Sequence, residues 1–200
     1  MSKQFDPNDK YAQEAKKQGY RARSVFKLED VQNKFRVLKP GNKVLDLGAA
    51  PGSFLQFISK VIGEKGLAIG VDLQKIEPFP ESNNIFTYIG DIFQDSIYER
   101  IAKDFNPNQF DVITSDLAPK TTGVAFMDGG RSLDLNLKVL DVCSKYLKKG
   151  GNAVMKILPG FNEGELVGPA KKMFKQVKKT RPRAIRKSSG ESYIVCLNKL

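Results

Sequence analysis

No histidine occurs anywhere in the 200 residues, and that absence removes whole classes of reaction. Without imidazole there is no Ser-His-Asp or Cys-His nucleophile system, no His-bearing zinc site and no proton shuttle that titrates near neutrality. Acid–base chemistry must fall to Lys, Asp, Glu, Tyr or Cys. Cysteine is scarce as well. Cys143 and Cys196 lie far apart, form no CxxC pair and sit in apolar surroundings, the pattern of buried thiols in a reducing compartment rather than of a disulfide or a metal site. No stretch approaches the roughly 18 apolar residues of a membrane span, and the opening MSKQFDPNDKYAQEAKKQGY lacks the apolar run of a secretory signal. We therefore expect a soluble, cytoplasmic, metal-free protein that needs no membrane and works as a monomer.

The composition that remains is globular, with 40% hydrophobic and 28% charged residues, and the length suits one substantial core. We expect a single unit over residues 1–200, with 1–42 as an N-terminal helical arm and 43–200 as the core. Charge is unevenly spread. Residues 1–43 carry 11 basic and 5 acidic side chains, 44–142 carry 8 and 14, and 143–200 carry 14 and 3, which together give the formal +11. An acidic middle between two basic ends suggests a polyanion surface where those ends meet, with nucleic acid the first candidate partner and an anionic membrane the second. Solvated helix faces are the bland alternative.

From residue 43 onward, strand and helix signals alternate. Short β-branched or apolar runs occupy Lys43–Leu47, Leu67–Asp72, Ile85–Ile89, Phe110–Ser115, Asn152–Ile157 and Tyr193–Asn198, with a weaker run at Gln176–Arg181. Helical patterns fill Ser53–Ile62, Gln94–Lys103, Arg131–Leu147 and Glu163–Phe174, and two more precede the core at Asp9–Gln18 and Ala22–Phe35. This order predicts an α/β fold, a mostly parallel sheet flanked by helices, with its ligand crevice at the carboxyl ends of the strands.

Three strand ends carry one kind of chemistry. The first strand runs into DLGAAPGSF (Asp46 to Phe54), where Gly48 and Gly52 permit a sharp turn against a ligand; the pattern is not GxGxxG, which argues against a pyrophosphate cradle. The second ends in Asp72, where a carboxylate can accept both hydroxyls of a ribose, and the third in Gly90-Asp91, where another can accept from an adenine amino group. Together they outline an adenosine site. Singly, each aspartate is more often a cap or turn residue. The fourth and fifth strands end in SDLAP (Ser115 to Pro119) and MKILPG (Met155 to Gly160), and Lys156 stands amid Val154, Met155, Ile157 and Leu158. A lysine there is costly to bury unless paired, and Asp116 is the available partner; a snorkelling edge lysine is the alternative.

These motifs resemble the FtsJ/RrmJ family of S-adenosylmethionine-dependent RNA ribose 2'-O-methyltransferases. The resemblance spans nearly the whole chain, from DKYAQEAKKQGYRARSVFKLED (Asp9 to Asp30) through DLGAAPGSF and SDLAP to ESYIVC (Glu191 to Cys196). It implies a Rossmann-like methyltransferase fold with a seven-stranded sheet, and a Lys-Asp-Lys-Glu tetrad falling on Lys27, Asp116, Lys156 and Glu191. It implies S-adenosyl-L-methionine as cofactor, held by Asp46, Gly48, Gly52, Phe54, Asp72, Asp91 and Asp116, with Phe54 where an aromatic, often Trp, is usual. Lys156 would be the general base, Asp116 would fix its geometry, and Lys27 and Glu191 would orient the ribose. RNA is the implied partner. The compact length resembles the bacterial members that methylate a uridine of large-subunit ribosomal RNA, as naked RNA or assembled particle, with transfer RNA the runner-up. A noncatalytic ribosome-assembly factor and a nicotinamide dehydrogenase are the readings from other classes. Because Lys27 and Glu191 must meet, both basic ends should border one pocket; Arg21, Arg23, Arg183 and Arg186 are the expected RNA-binding side chains, within a basic set that also includes Lys34, Arg181 and Lys187.

Overall fold

The computed structural model describes residues 9–105, 109–119, 122–186 and 188–200; Lys187, in the expected basic set, lies outside them. Seven strands form one sheet in the order β3-β2-β1-β4-β5-β7-β6. They are β1 (Lys43–Leu47), β2 (Leu67–Asp72), β3 (Ile85–Ile89), β4 (Phe110–Ser115), β5 (Leu147–Ile157), β6 (Phe174–Thr180) and β7 (Ser192–Lys199). β1 to β5 pair in parallel, and β7 runs antiparallel to both of its neighbours, β5 and β6. The chain leaves β1 toward β2 and β3, then crosses over to β4 and β5. That reversal between β1 and β4 opens a crevice at their carboxyl ends, the place where sheets of this kind bind ligands.

Period-2 alternation divides the core between two helical layers. Val44, Val112, Val154, Tyr193 and Val195 face one side, covered by α2 (Val25–Phe35) and α3 (Ser53–Ile62). Leu45, Ile113, Met155 and Ile194, one residue along, face the other, covered by α4 (Asp95–Phe105), α5 (Ala125–Tyr146) and α6 (Gly164–Met173). α3 reads SFLQFISKVI and buries Phe54, Leu55, Phe57, Ile58 and Ile62, an apolar stripe at helical spacing that ends at Gly63. The amino-terminal helices α1 (Lys10–Lys17) and α2 belong to the same layer as α3: Ala15, Val25, Leu28 and Val31 are buried in its core. The alternation that buries Val154 and Val112 also turns Lys156, Thr114 and Asp46 toward this layer, and so toward Lys27 on α2.

Two elements begin five or more residues earlier than the sequence pattern suggests. α5 starts at Ala125 rather than Arg131 and runs straight through Gly129-Gly130, residues that weaken a helix by themselves. Packing overrides propensity there, because a Cβ at Gly129 would lie 2.3 Å from the Gly160 carbonyl carbon, so only glycine lets this helix close on the loop after β5. β5 starts at Leu147 rather than Asn152, with an irregularity opposite Phe110 and Val112 where Lys148–Gly151 is accommodated.

Candidate active site

Lys156 ends β5 and Asp116 follows β4, so parallel pairing of those strands places the two side by side. Lys156 Nζ lies 3.1 Å from Asp116 Oδ1 and also donates to the Asp116 backbone carbonyl. The lysine side chain is only 7% exposed, so this pairing is what makes a buried cation tolerable. From α5, Asn136 Nδ2 donates to the Lys156 carbonyl at 2.9 Å and fixes the strand end from behind. Lys27, one turn into α2, reaches Glu191 just before β7 at 2.6 Å, both side chains mostly buried. All four side chains line one cavity of about 450 Å³, whose wall continues through Ser24, Arg23, Arg186, Ser188 and Ser189.

A side chain not expected from the sequence completes the arrangement. Tyr193 sits opposite Lys156 in the β5–β7 register, is fully buried, and donates its hydroxyl to Asp116 Oδ1. Burial, then the charge and hydrogen bond of Asp116, push its ionisation well above the usual tyrosine range, so the phenol is a permanent donor. One Asp116 oxygen thus serves both Lys156 and Tyr193. The signal was present in ESYIVC: Glu191, Tyr193 and Val195 share strand parity, which turns the tyrosine to the face that carries the site.

A second cavity of about 280 Å³ opens at the β1/β4 crossover and is lined by Gly48, Ala50, Val71, Asp72, Asp91, Ile92, Asp116 and Leu117 among others. Its carboxylates are oriented by backbone N–H groups. Ala50 N donates to Asp72 Oδ2 at 2.9 Å, Gln74 N to Asp72 Oδ1 at 2.8 Å, and Phe93 N to Asp91 Oδ1 at 3.0 Å. Gly48 has φ +76°, and a Cβ there would come within 2.7 Å of the Leu117 side chain, so a larger residue would push the loop into the space between β1 and β4. Asp116 lines both cavities, which therefore meet at it.

Three residues expected at the cofactor do not line this cavity. Phe54 is 3% exposed and packs in the core beneath the amino-terminal helices, because as the second residue of α3 it belongs to that helix's apolar stripe. Gly52 starts α3 against Phe79 and Arg21. Asp46 is buried beneath the loop, taking a 2.6 Å bond from Thr114 Oγ1, with Oδ2 unpartnered among the described residues. Burial raises its ionisation, the Thr114 bond lowers it, and Asp116 and Asp72 raise it again, leaving it pushed up to about 8.

The four arginines divide differently from expectation. Arg21 acts as a clasp: it donates to the carbonyls of Pro51 at 3.1 Å, Glu77 at 2.7 Å and Pro78 at 2.6 Å, and stacks 3.7 Å over the Phe79 ring. Its own N–H goes to Gln56 Oε1, and Ser24 Oγ lies 2.8 Å from Ser53 Oγ, so the segment leading into α2 is pinned to α3. Arg23 pairs with Asp9 and donates to the Ala184 carbonyl, and Arg186 reaches the same Asp9 oxygen at 3.2 Å. Burial raises the Asp9 carboxyl, but the bonds from Arg23, Ala12 N and Arg186 outweigh it and hold it below the usual range. Arg183 is exposed on a separate groove between α2 and the end of β6, beside Lys34 and Arg181, its N–H donated to Asp30.

With this geometry in place, the kinship of the chain is decided by comparison. Residues 20–199 match the FtsJ-like methyltransferase family. The chain belongs to that family. It is 40% identical over 192 residues to ribosomal RNA large subunit methyltransferase E of Syntrophobacter fumaroxidans, covering 96% of this chain and 95% of that protein. The protein of the same name from Bdellovibrio bacteriovorus is 43% identical over 197 residues, 98% of each. Among solved structures, a Plasmodium falciparum protein assigned as a ribosomal RNA methyltransferase superposes with a TM-score of 0.80 at 29% identity, covering 90% of this chain and 99% of that one. The fold is shared more widely: Aeropyrum pernix fibrillarin, crystallised with S-adenosyl-L-methionine, has a TM-score of 0.59 at 17% identity over 87% of this chain and 76% of that one. The family is one of RNA-modifying enzymes, and the Rossmann-like methyltransferase fold expected from the sequence is the one found.

Proposed function

We propose that this FtsJ-like methyltransferase moves a methyl group from S-adenosyl-L-methionine to the 2'-hydroxyl of a ribose in RNA, a uridine of the large-subunit ribosomal RNA. The observation that carries the reading is the junction at Asp116: a carboxylate-lined cavity on one side, a lysine-bearing cavity on the other. The first suits the cofactor. Asp72, Asp91 and Asp116 line it, with no Lys or Arg among the described residues of its lining, which favours a cationic sulfonium and ammonium and opposes the phosphates of a dinucleotide. Val71, Leu73, Ile92 and Leu117 offer apolar walls for an adenine, and the aspartates offer acceptors for ribose hydroxyls. When bound, the cofactor supplies the electrophilic methyl group, so no metal is required.

The chain's own groups do the rest. A ribose hydroxyl in the larger cavity would give its proton to Lys156 Nζ as its oxygen takes up the methyl group, for which a bound cofactor would supply the electrophilic carbon and keep the electron pair of its own bond to it. Lys156 must hold its lone pair at that moment, and Asp116, itself held by Tyr193, aims it. Lys27 and Glu191 present a donor and an acceptor to the neighbouring ribose oxygens. We take residues 1–42 to be an arm of the single catalytic unit, and the protein to act as a cytoplasmic monomer, since all four side chains come from one chain. No helix among the described residues is long and apolar enough to cross a membrane.

The test is to offer large ribosomal subunits, stripped ribosomal RNA and transfer RNA with labelled cofactor, and to map alkali-resistant linkages. Label at one uridine of large-subunit RNA is the expected result. Label in transfer RNA would contradict the substrate, and label on a base rather than a ribose would contradict the reaction.

A further inference from the structure

Among the described residues the most exposed large apolar side chain is Phe126, at 81%, in the first turn of α5. Val124 and Met127 beside it are exposed as well, and the segment 122–127, TGVAFM, is exposed throughout and carries no charge. Single apolar side chains scattered over a surface need no explanation, but this turn is built. Buried Asp128 receives the Thr122 N–H at 2.7 Å, the Thr122 hydroxyl at 2.9 Å and the Gly123 N–H at 3.1 Å, and Thr122 Oγ1 accepts in turn from the Val124 N–H at 3.2 Å. The chain therefore enters α5 on a fixed course that holds Phe126 out of the core. Its place is tied to the catalytic pair. The turn begins six positions after Asp116, and Gly160, four positions after Lys156, lies so close to the Ala125 carbonyl that no Cβ would fit between them. On the other side of that loop, a Cβ at Gly190, next to Glu191, would come within 2.6 Å of Pro159 Cγ. Further along α5, Ser132 Oγ accepts from the Leu158 N–H at 3.1 Å. Phe126 stands about 9 Å along the helix from that contact, at 1.5 Å per residue.

We infer that Phe126, flanked by Val124 and Met127, is a stacking platform for one unpaired base of the RNA, next to the nucleotide whose ribose enters the cavity. The inference rests on the reading of the cavity as a ribose site. An aromatic ring standing in water offers a nucleobase a face to stack on and asks of it neither charge nor a particular hydrogen-bonding edge. The size of the patch fits that occupant. Three side chains in one turn are too few for a second copy of the chain, since a specific protein interface takes roughly 800 Å² from each partner, whereas a base needs a single ring. Because the Asp128 bonds hold the turn in shape, little ordering is left to be done on binding. The platform gives the enzyme a selectivity that its charged residues do not: a target whose neighbouring base is free of pairing, in a loop or a single strand, is held at two points, while the same ribose inside a duplex is held at one.

Oligouridine pentamers bearing one 5-iodouridine test the placement, with the full chain saturated in adenosylhomocysteine. Irradiation should couple the iodinated base to Phe126, read as a modified peptide by mass spectrometry. A pentamer of dihydrouridine keeps the phosphates and the hydrogen-bonding groups but has a puckered ring that cannot stack; the wild type should bind it about tenfold more weakly than pentauridine, and Phe126→Ala should bind the two alike. Phe126→Ala should lose about tenfold in affinity for pentauridine, with thermal stability unchanged and with the same slope of log affinity against log salt, since no phosphate contact is removed. Phe126→Trp should bind pentauridine as well as the wild type and Phe126→Leu should not, which separates stacking from mere apolar cover. Absence of a crosslink at Phe126, or equal binding of the planar and puckered pentamers by the wild type, would overturn the inference. Failure of the wild type to methylate any RNA would refute the ribose reading instead, a result read in a different assay.

Discussion

At the scale of single residues, the proposed base depends on a side chain that touches no substrate. Tyr193 holds the same Asp116 oxygen that Lys156 meets. Tyr193→Phe keeps the ring and the packing but deletes this donor, and a hydrogen bond to a charged acceptor is worth about 1.5–3 kcal/mol. We expect kcat to fall about tenfold or more and the pH–rate profile to move, with adenosylhomocysteine affinity unchanged; an unshifted profile at full kcat would remove Tyr193 from the mechanism. Asp46 has a different readout. Its folded-state ionisation, near 8, lies above the unfolded value of 3.8, so the folded chain holds a proton that the unfolded chain has lost. Its contribution to stability is complete below about 3.8 and is lost as pH rises through about 8. Asp46→Asn should therefore flatten the decline in stability between those values, and the wild type's advantage over the variant should shrink as pH rises in denaturant titrations. Asp46 also marks how far residue-level reading reaches. Its place at a strand end was legible, but whether its carboxyl faces ligand or core depends on strand parity and on Thr114, 68 positions away.

At the scale of elements, β1 to β4 and α3 were legible because alternation and helical spacing are local signals. The starts of α5 and β5 were not, since what licenses a helix through Gly129-Gly130 is the close approach of Gly160, and what extends β5 is pairing with Phe110. Arg21 belongs here for the same reason. Its basic charge suggests RNA, yet its partners are three carbonyls on two loops, which no spacing rule connects to it. Those contacts tie the segment that presents Lys27 to the loop that borders the carboxylate-lined cavity. Arg21→Ala should cost about 1–3 kcal/mol of stability, lower adenosylhomocysteine affinity and leave the salt slope of RNA binding as it is. A reduced slope at normal stability would return Arg21 to the phosphate-contacting set.

At the scale of the whole molecule, the segregation of charge along the chain becomes a division of labour. The acidic middle supplies Asp72, Asp91 and Asp116 to a cavity suited to a cation, and the basic ends meet across Lys27–Glu191 and Arg23–Asp9–Arg186. The family resemblance implied a grouping of Lys27, Asp116, Lys156 and Glu191, and the four do line one cavity, whereas the link through Asp9 was not legible, because Asp9 and Arg186 lie 177 positions apart. The central claim is that Lys156 takes the proton from the ribose hydroxyl. Single-turnover methylation by Lys156→Ala, on whichever RNA the wild type modifies, tests it most directly, with adenosylhomocysteine affinity measured alongside. We expect the rate to fall by at least about 100-fold with cofactor affinity essentially intact; a near-wild-type rate in that variant would contradict the account.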